Sequence, residues 1–240
     1  MPRPVENPPN PWLSEDVAYL EGAAPPAALT VFEDKTRSVI TTNDSPDLPF
    51  DHGVNPYRGC FHGCSYCYAR PSHEYLSFGA GTDFERKLVV KPEAPMRLRE
   101  AFERPSWKGK LLLFSGITDC YQPLEAAYKL TRQCLEVCAA YRNPVAIVTK
   151  GVLIERDLDV LMALHEVTHL SITISIPLWN LEASRVVEPY VASPERRLKT
   201  VAKLAAAGLD VGVNISPFIP GLSDRDLVPL LERTVEAGAI

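Results

Sequence analysis

From residue 111 onward, short apolar runs alternate with longer stretches in which apolar residues recur at helical spacing. Leu111-Leu112-Leu113-Phe114-Ser115 is the unbroken apolar run of a buried parallel strand. Residues 124–141 follow, with Ala127, Leu130, Cys134, Val137 and Cys138 on one helical face. The same alternation predicts strands at 145–149, 169–176 and 210–216, and helices at 157–166, 193–207 and 224–237. The helix at 193 opens Ser193-Pro194-Glu195, a cap with proline at the first position, and stops at Gly208.

Upstream the pattern is less regular. Residues 1–35 read as an irregular, proline-rich arm, and 38–42 as a short strand. Residues 53–58 predict a strand that delivers the chain to a cysteine-bearing loop, followed by a helix near 72–78. Residues 88–91 read as extended and 95–103 as a helix packed through Met96, Leu98 and Phe102. Strands of this length alternating with helices imply parallel βαβ units, and five can be counted after the arm. The fold class is therefore α/β. Ligand sites in such folds lie at the carboxyl ends of the strands, where Cys60, Ser115, Lys150, Ser175 and Ser216 stand.

Composition narrows the picture without naming a chemistry. With 46% apolar and 23% charged residues, the 240-residue chain is ordinary for a globular protein with one large core. No apolar run reaches eighteen residues and the N-terminus has no apolar signal core, so a cytoplasmic protein without a membrane partner is expected. There the six cysteines stay reduced. A net charge of −5 does not favour a broad nucleic-acid surface. The densest cationic stretch, Arg196-Arg197-Leu198-Lys199, fits the outer face of a helix. Cys134 and Cys138, four apart on a helix, read as small buried apolar residues.

The chemistry is concentrated in Cys60-Phe61-His62-Gly63-Cys64-Ser65-Tyr66-Cys67. Three thiols spaced C-x₃-C-x₂-C are one short of a closed structural zinc site, which takes four ligands. They suit a 4Fe–4S cluster held by three cysteines with one iron left open. Two alternatives stay open: a non-catalytic zinc-binding module with His62 or His73 as fourth ligand, and a disulfide with a free thiol.

That spacing, with Tyr66 just before the third cysteine, resembles the signature loop of the radical S-adenosylmethionine (radical SAM) enzymes. In that family the open iron binds the amino and carboxylate groups of SAM, and an electron from the cluster cleaves SAM to a 5′-deoxyadenosyl radical. Further segments resemble the spore photoproduct lyase-like branch: Asn55-Pro56-Tyr57-Arg58-Gly59-Cys60, Thr118-Asp119-Cys120-Tyr121-Gln122, Thr149-Lys150-Gly151 and Pro220-Gly221-Leu222-Ser223-Asp224. The resemblance covers residues 36–240 and implies a radical SAM core there, a partial (β/α)6 TIM-like barrel truncated in or before its sixth unit.

It also implies the cofactors, a 4Fe–4S cluster on Cys60, Cys64 and Cys67 together with SAM, and a reductant such as flavodoxin or ferredoxin. Tyr66, Ser115, Lys150, Ser175 and Asn214 become the candidate SAM contacts. Lys150 would pair with the SAM carboxylate, while Ser171 and Thr173 compete with Ser175 on alternation grounds. Tyr68 and Cys120 are the candidates for a catalytic role. Asp119, Tyr121, Gln122 and Glu125 either shape the substrate side or cap the following helix. Arg58 and Arg70 either stabilise the reduced cluster or form ordinary salt bridges. One departure bears on the substrate: the chain has Phe114 where spore photoproduct lyases place a hydrogen-donor cysteine. This counts against reversal of a thymine dimer, so a nucleic-acid repair or modification lyase stands as an alternative to hydrogen abstraction from another substrate.

Overall fold

The computed structural model describes residues 28–46 and 50–240. Nine strands and eight α-helices follow in chain order among the described residues. β1 (Thr30–Glu33), β2 (Ile40–Thr42), β3 (His52–Val54) and β4 (Tyr57–Arg58) lead to the cysteine loop. A 3-10 helix (Arg70–Leu76), α1 (Thr82–Arg86), β5 (Lys87–Val90) and α2 (Ala94–Phe102) come next. The regular part runs β6 (Leu112–Phe114), α3 (Glu125–Tyr128), α4 (Leu130–Ala140), β7 (Val145–Thr149), α5 (Leu158–Val167) and β8 (Leu170–Ser175). It finishes with α6 (Leu181–Val187), α7 (Pro194–Ala206), β9 (Val211–Asn214) and α8 (Leu227–Glu236).

The main sheet has the order β2-β3-β6-β7-β8-β9. Only the β2–β3 pair is antiparallel; the other neighbours run parallel, as expected for a partial barrel of βα units. Alternation along β7 and β8 divides the sheet into two faces. Val145, Ile147, Leu170, Ile172 and Ile174 are buried in one core with Leu135, Leu161, Leu164, Val201 and Leu204 from the helices. Each such residue contributes about 1.5–3 kcal/mol by leaving water. The opposite face carries Ala146, Val148, Ser171 and Thr173, all half-buried.

Several elements differ from the sequence expectation. Residues 53–58 form two strands in two sheets: β3 joins the main sheet, and β4 joins a small sheet of order β1-β5-β4. Asn55-Pro56 forces the break, because proline lacks an N–H and holds its predecessor extended. β1 lies inside the segment expected to be irregular, where it pairs in parallel with β5. Residues 1–27 of that arm lie outside the described residues.

The helix expected over 124–141 is broken at Lys129, whose φ is 53°. The buried Glu125 carboxylate accepts from the N–H groups of Thr131 and Arg132 (2.9 and 3.2 Å) and so starts α4 afresh. Residues 72–78 fall largely in the 3-10 helix, and α6 was not anticipated. The cationic stretch also divides. Arg196 and Lys199 sit at the surface, bonded to Glu155 and Glu195, but Arg197 is fully buried. Helical spacing places it with Pro194, Thr200, Val201 and Leu204 on the inner face of α7.

Candidate metal centre

The cysteine loop leaves β4 at Gly59 and turns back at Gly63, with φ of 71° and 64°. Both need glycine: a Cβ on Gly59 would stand 2.7 Å from the Phe84 carbonyl oxygen, and one on Gly63 2.9 Å from Glu85. Tight turns shape the rest, with the Gly63 N–H donating to Cys60 O at 3.4 Å and the Cys67 N–H to Cys64 O at 3.2 Å. Cys60 and Cys64 are buried, Cys67 is half-buried, and all six cysteines carry free thiols.

Arg70 holds the loop from beneath. Its buried guanidinium donates to the carbonyls of Cys64 (3.0 and 3.1 Å), Gly63 (3.1 Å) and Gly81 (2.8 Å) and pairs with Glu85 at 2.9 Å. The loop entrance is gripped from the β6 side. Thr118 Oγ1 and Gln122 Nε2 donate to Gly59 O at 2.5 and 3.0 Å, and Gln122 Oε1 accepts from the Phe61 N–H at 3.0 Å. Asp119 reaches further: it accepts from the Lys150 N–H at 2.7 Å and Thr149 Oγ1 at 2.5 Å, and stands 3.4 Å from His62 Nδ1. Burial alone would keep His62 neutral. Cys60 and then Asp119 reverse this and raise its pKa to about 10.

A second buried network supports the loop at Tyr66. The Tyr66 hydroxyl donates to Glu188, which also pairs with the fully buried Arg197 at 2.6 Å. Arg197 donates in turn to the carbonyl of Ser175 at 2.7 Å, at the end of β8. Lys150 caps the other side of Tyr66, with Nζ 5.6 Å from the ring centroid. Burial pushes the Cys64 and Cys67 thiols up, and the Lys150 charge acts against this on both.

Part of the strand-end set singled out in the sequence shares a face, while Ser216 lies exposed two residues past β9. Leu113 pairs with Ala146 and Ala146 with Ser171; Val148 pairs with Thr173 and Thr173 with Gly212; Ser175 pairs with Asn214. Since side chains alternate along a strand, Ser171, Thr173 and Ser175 lie together on the half-buried face, and Asn214 lies beside Ser175. Ser115 and Lys150 follow the ends of β6 and β7. Ser115 turns the chain with φ 83°, and its Oγ accepts from the Cys120 N–H at 2.8 Å.

Tyr68, 79% exposed, donates its hydroxyl to Gly116 O on the outer rim. Cys120, by contrast, is fully enclosed in the main core, and burial drives its thiol well above the ordinary range. In this structure it has no path to a substrate. Of the residues left between two roles, Asp119 and Gln122 brace the cysteine loop and Glu125 caps α4. Sequence reasoning missed Glu188 and treated Arg197 as an outward cation; the helical register of Arg197 with Thr200, Val201 and Leu204 was the available signal.

Among the described residues, no set of three or more His, Cys, Asp or Glu side chains closes on one point as the ligands of a single ion do. Three free thiols on one loop, with Lys150 over its Tyr66, are the donor chemistry of a 4Fe–4S cluster held by three cysteines. Among the same residues, no helix is long and apolar enough to cross a membrane.

Comparison with known proteins agrees with this arrangement. Residues 54–234 match the family model described as the radical SAM superfamily. An uncharacterised protein of Mycobacterium tuberculosis is 40% identical over 194 residues, 80% of this chain and 57% of that protein. An uncharacterised protein of Methanocaldococcus jannaschii is 30% identical over 177 residues, 73% and 63% of the two chains. The chain thus spans about 57–63% of the length of these relatives. Among solved structures, spore photoproduct lyase complexed with dinucleoside spore photoproduct superimposes with a TM-score of 0.64 at 16% identity, over 86% of this chain and 57% of the other. A variant of that lyase with bound AdoMet gives 0.62 at 18% identity, over 87% and 57%. These two likenesses concern the fold.

Proposed function

Because the chain belongs to the radical SAM superfamily, whose cofactors are a 4Fe–4S cluster and SAM, we propose that Cys60, Cys64 and Cys67 ligate that cluster in an enzyme that abstracts hydrogen from its substrate. When bound and reduced, the cluster supplies the electron that splits SAM into methionine and a 5′-deoxyadenosyl radical.

The observation that carries the reading is the donor set of one loop. One loop offers three free thiols at C-x₃-C-x₂-C, and a lysine from the end of β7 stands over its Tyr66. Lys150 is suited to the SAM carboxylate, because its ammonium has no carboxylate partner of its own within ion-pair distance among the described residues. Ser115, Ser175 and Asn214 are suited to the polar groups of SAM by their place at the strand ends. Tyr66 backs the loop through Glu188 and Arg197. Phe114 is fully buried in β6, which supports a hydrogen donor and a substrate other than those of spore photoproduct lyase. A reductant of flavodoxin or ferredoxin type completes the proposal.

Anaerobic reconstitution with iron and sulfide, followed by dithionite and SAM, tests it. The expected result is 5′-deoxyadenosine from the unsubstituted protein and none from Cys64→Ala. A colourless protein that holds one zinc and is inert towards SAM would refute it.

A further inference from the structure

The small sheet of order β1-β5-β4 has two faces. Tyr57 and Val90, paired across β4 and β5, point into a core cluster with Leu130, where the Tyr57 hydroxyl meets Glu125. Arg58 and Val89 are the next pair and point the other way. Lys91 follows β5 and stays in register, its N–H donating to Pro56 O at 3.0 Å, and Pro92 keeps it extended. Lys91 is therefore the diagonal cross-strand neighbour of Arg58 on the second face, within reach for two long side chains.

Both cations lack a partner. Among the described residues neither has a carboxylate within ion-pair distance, and neither donates a side-chain hydrogen bond. Lys91 is nonetheless only 4% exposed, and Arg58 Nε is enclosed with nothing to bond to. Asp34 follows β1 beside Lys91, its N–H donating to Val90 O at 2.8 Å, but its carboxylate forms no ion pair with the lysine. Burial, then the Arg58 charge, brings the Lys91 pKa from 10.5 down to about 8, and Asp34 offsets only part of this. Buried charges are otherwise paired. Phe32, in register with Val89 and 39% exposed, carries the same face to the surface.

We propose that Arg58 and Lys91 form a binding site for a phosphate-type dianion on this face of the small sheet. Two cations without counter-charges are balanced by one dianion. The planar fork of Arg58 and the ammonium of Lys91 supply several charged donors for its oxygens. Gly59 and Cys60 follow Arg58 directly, so an occupied site ties β4 to β5 just ahead of the first thiol. The inference stands apart from the cluster reading and needs no metal.

The test is thermal unfolding of the protein, under reducing and anaerobic conditions, with inorganic phosphate replacing chloride at constant ionic strength. The expected result is a saturable rise in Tm of the unsubstituted protein. Arg58→Gln and Lys91→Met should each raise the phosphate concentration for half of that rise at least about tenfold, the loss of one charge-assisted partner. In chloride alone Lys91→Met should unfold no lower than the unsubstituted protein, because it removes a buried charge that has no partner. Glycerol 3-phosphate is the second ligand. A response to it as tight as that to phosphate assigns a phosphoryl group on a larger molecule; a response to phosphate alone assigns the free anion. No saturable rise in the unsubstituted protein would overturn the inference. So would the same rise in all three proteins, which is the general effect of an excluded salt. A lower Tm for Lys91→Met in chloride would overturn it too, because the ammonium would then be satisfied without an anion.

Discussion

Replacing Arg197 by methionine should destabilise the protein by about 3–5 kcal/mol, the cost of removing one partner of a buried ion pair. The structure sets the terms. Arg197 and Glu188 are fully buried and 2.6 Å apart, and the variant also strips a donor from the Ser175 carbonyl. One feature acts the other way: Arg197 Nε is buried without a partner, so the arginine already carries a desolvation cost that methionine removes. We therefore expect the lower end, about 3 kcal/mol, still a large share of the roughly 5–15 kcal/mol typical of a domain. At about 2–4 °C per kcal/mol for a chain of this size, Tm should fall by roughly 6–12 °C. Urea unfolding under reducing, anaerobic conditions, followed by far-UV circular dichroism, measures the loss. Combining Arg197→Met with Glu188→Gln should be less damaging than the sum of the two, because no unpaired charge stays buried. A loss under about 1 kcal/mol for Arg197→Met, or strict additivity in the double variant, would refute the reasoning.

Three further outcomes are expected. Arg70→Lys keeps a charge opposite Glu85 but cannot reach the Cys64, Gly63 and Gly81 carbonyls together, so metal affinity should drop about 10–100-fold in a chelator competition. Gly151→Ala places a Cβ 2.7 Å from Tyr121 Cβ and against its carbonyl, and should lower stability in urea by about 1–3 kcal/mol. Burial favours the neutral form of Glu155, but Arg196, then Thr200 and Lys203, outweigh it and bring its pKa from 4.5 down to about 2. That depressed value adds stability above pH 4.5 which is lost as the pH falls towards 2, so Glu155→Gln should be destabilising at pH 7 and lose its effect across that window in acid denaturation.

β6 and β7 were legible as apolar runs, β8 and β9 by their alternation of apolar and small or polar residues, and the three thiols because their spacing is dense and local. The split of residues 53–58 between two sheets was signalled only by Asn55-Pro56, which apolar content masks. The break at Lys129 left no trace in periodicity: Ala127, Leu130 and Cys134 keep helical spacing across it, and its cause, the Glu125 carboxylate, lies within the expected helix. The supports of the loop were the least legible part. Asp119, Gln122 and Glu188 reach the loop across sequence distances that no local pattern records. Arg197 could have been found from its register, yet a charge in a basic run points first to solvent.

The grips on the cysteine loop also carry an order in time. Arg70 and Glu85 lie close behind the thiols, but Ser65 and Tyr66 take their partners, Val187 and Glu188, from 122 residues downstream. During synthesis, which proceeds from the N-terminus, the three thiols emerge long before the last residues that hold them. Until those residues emerge, the nascent loop has its near grips but lacks the bonds from Ser65 and Tyr66 to Val187 and Glu188. On the proposed reading, a cluster delivered after that interval meets a loop already held by Val187 and Glu188.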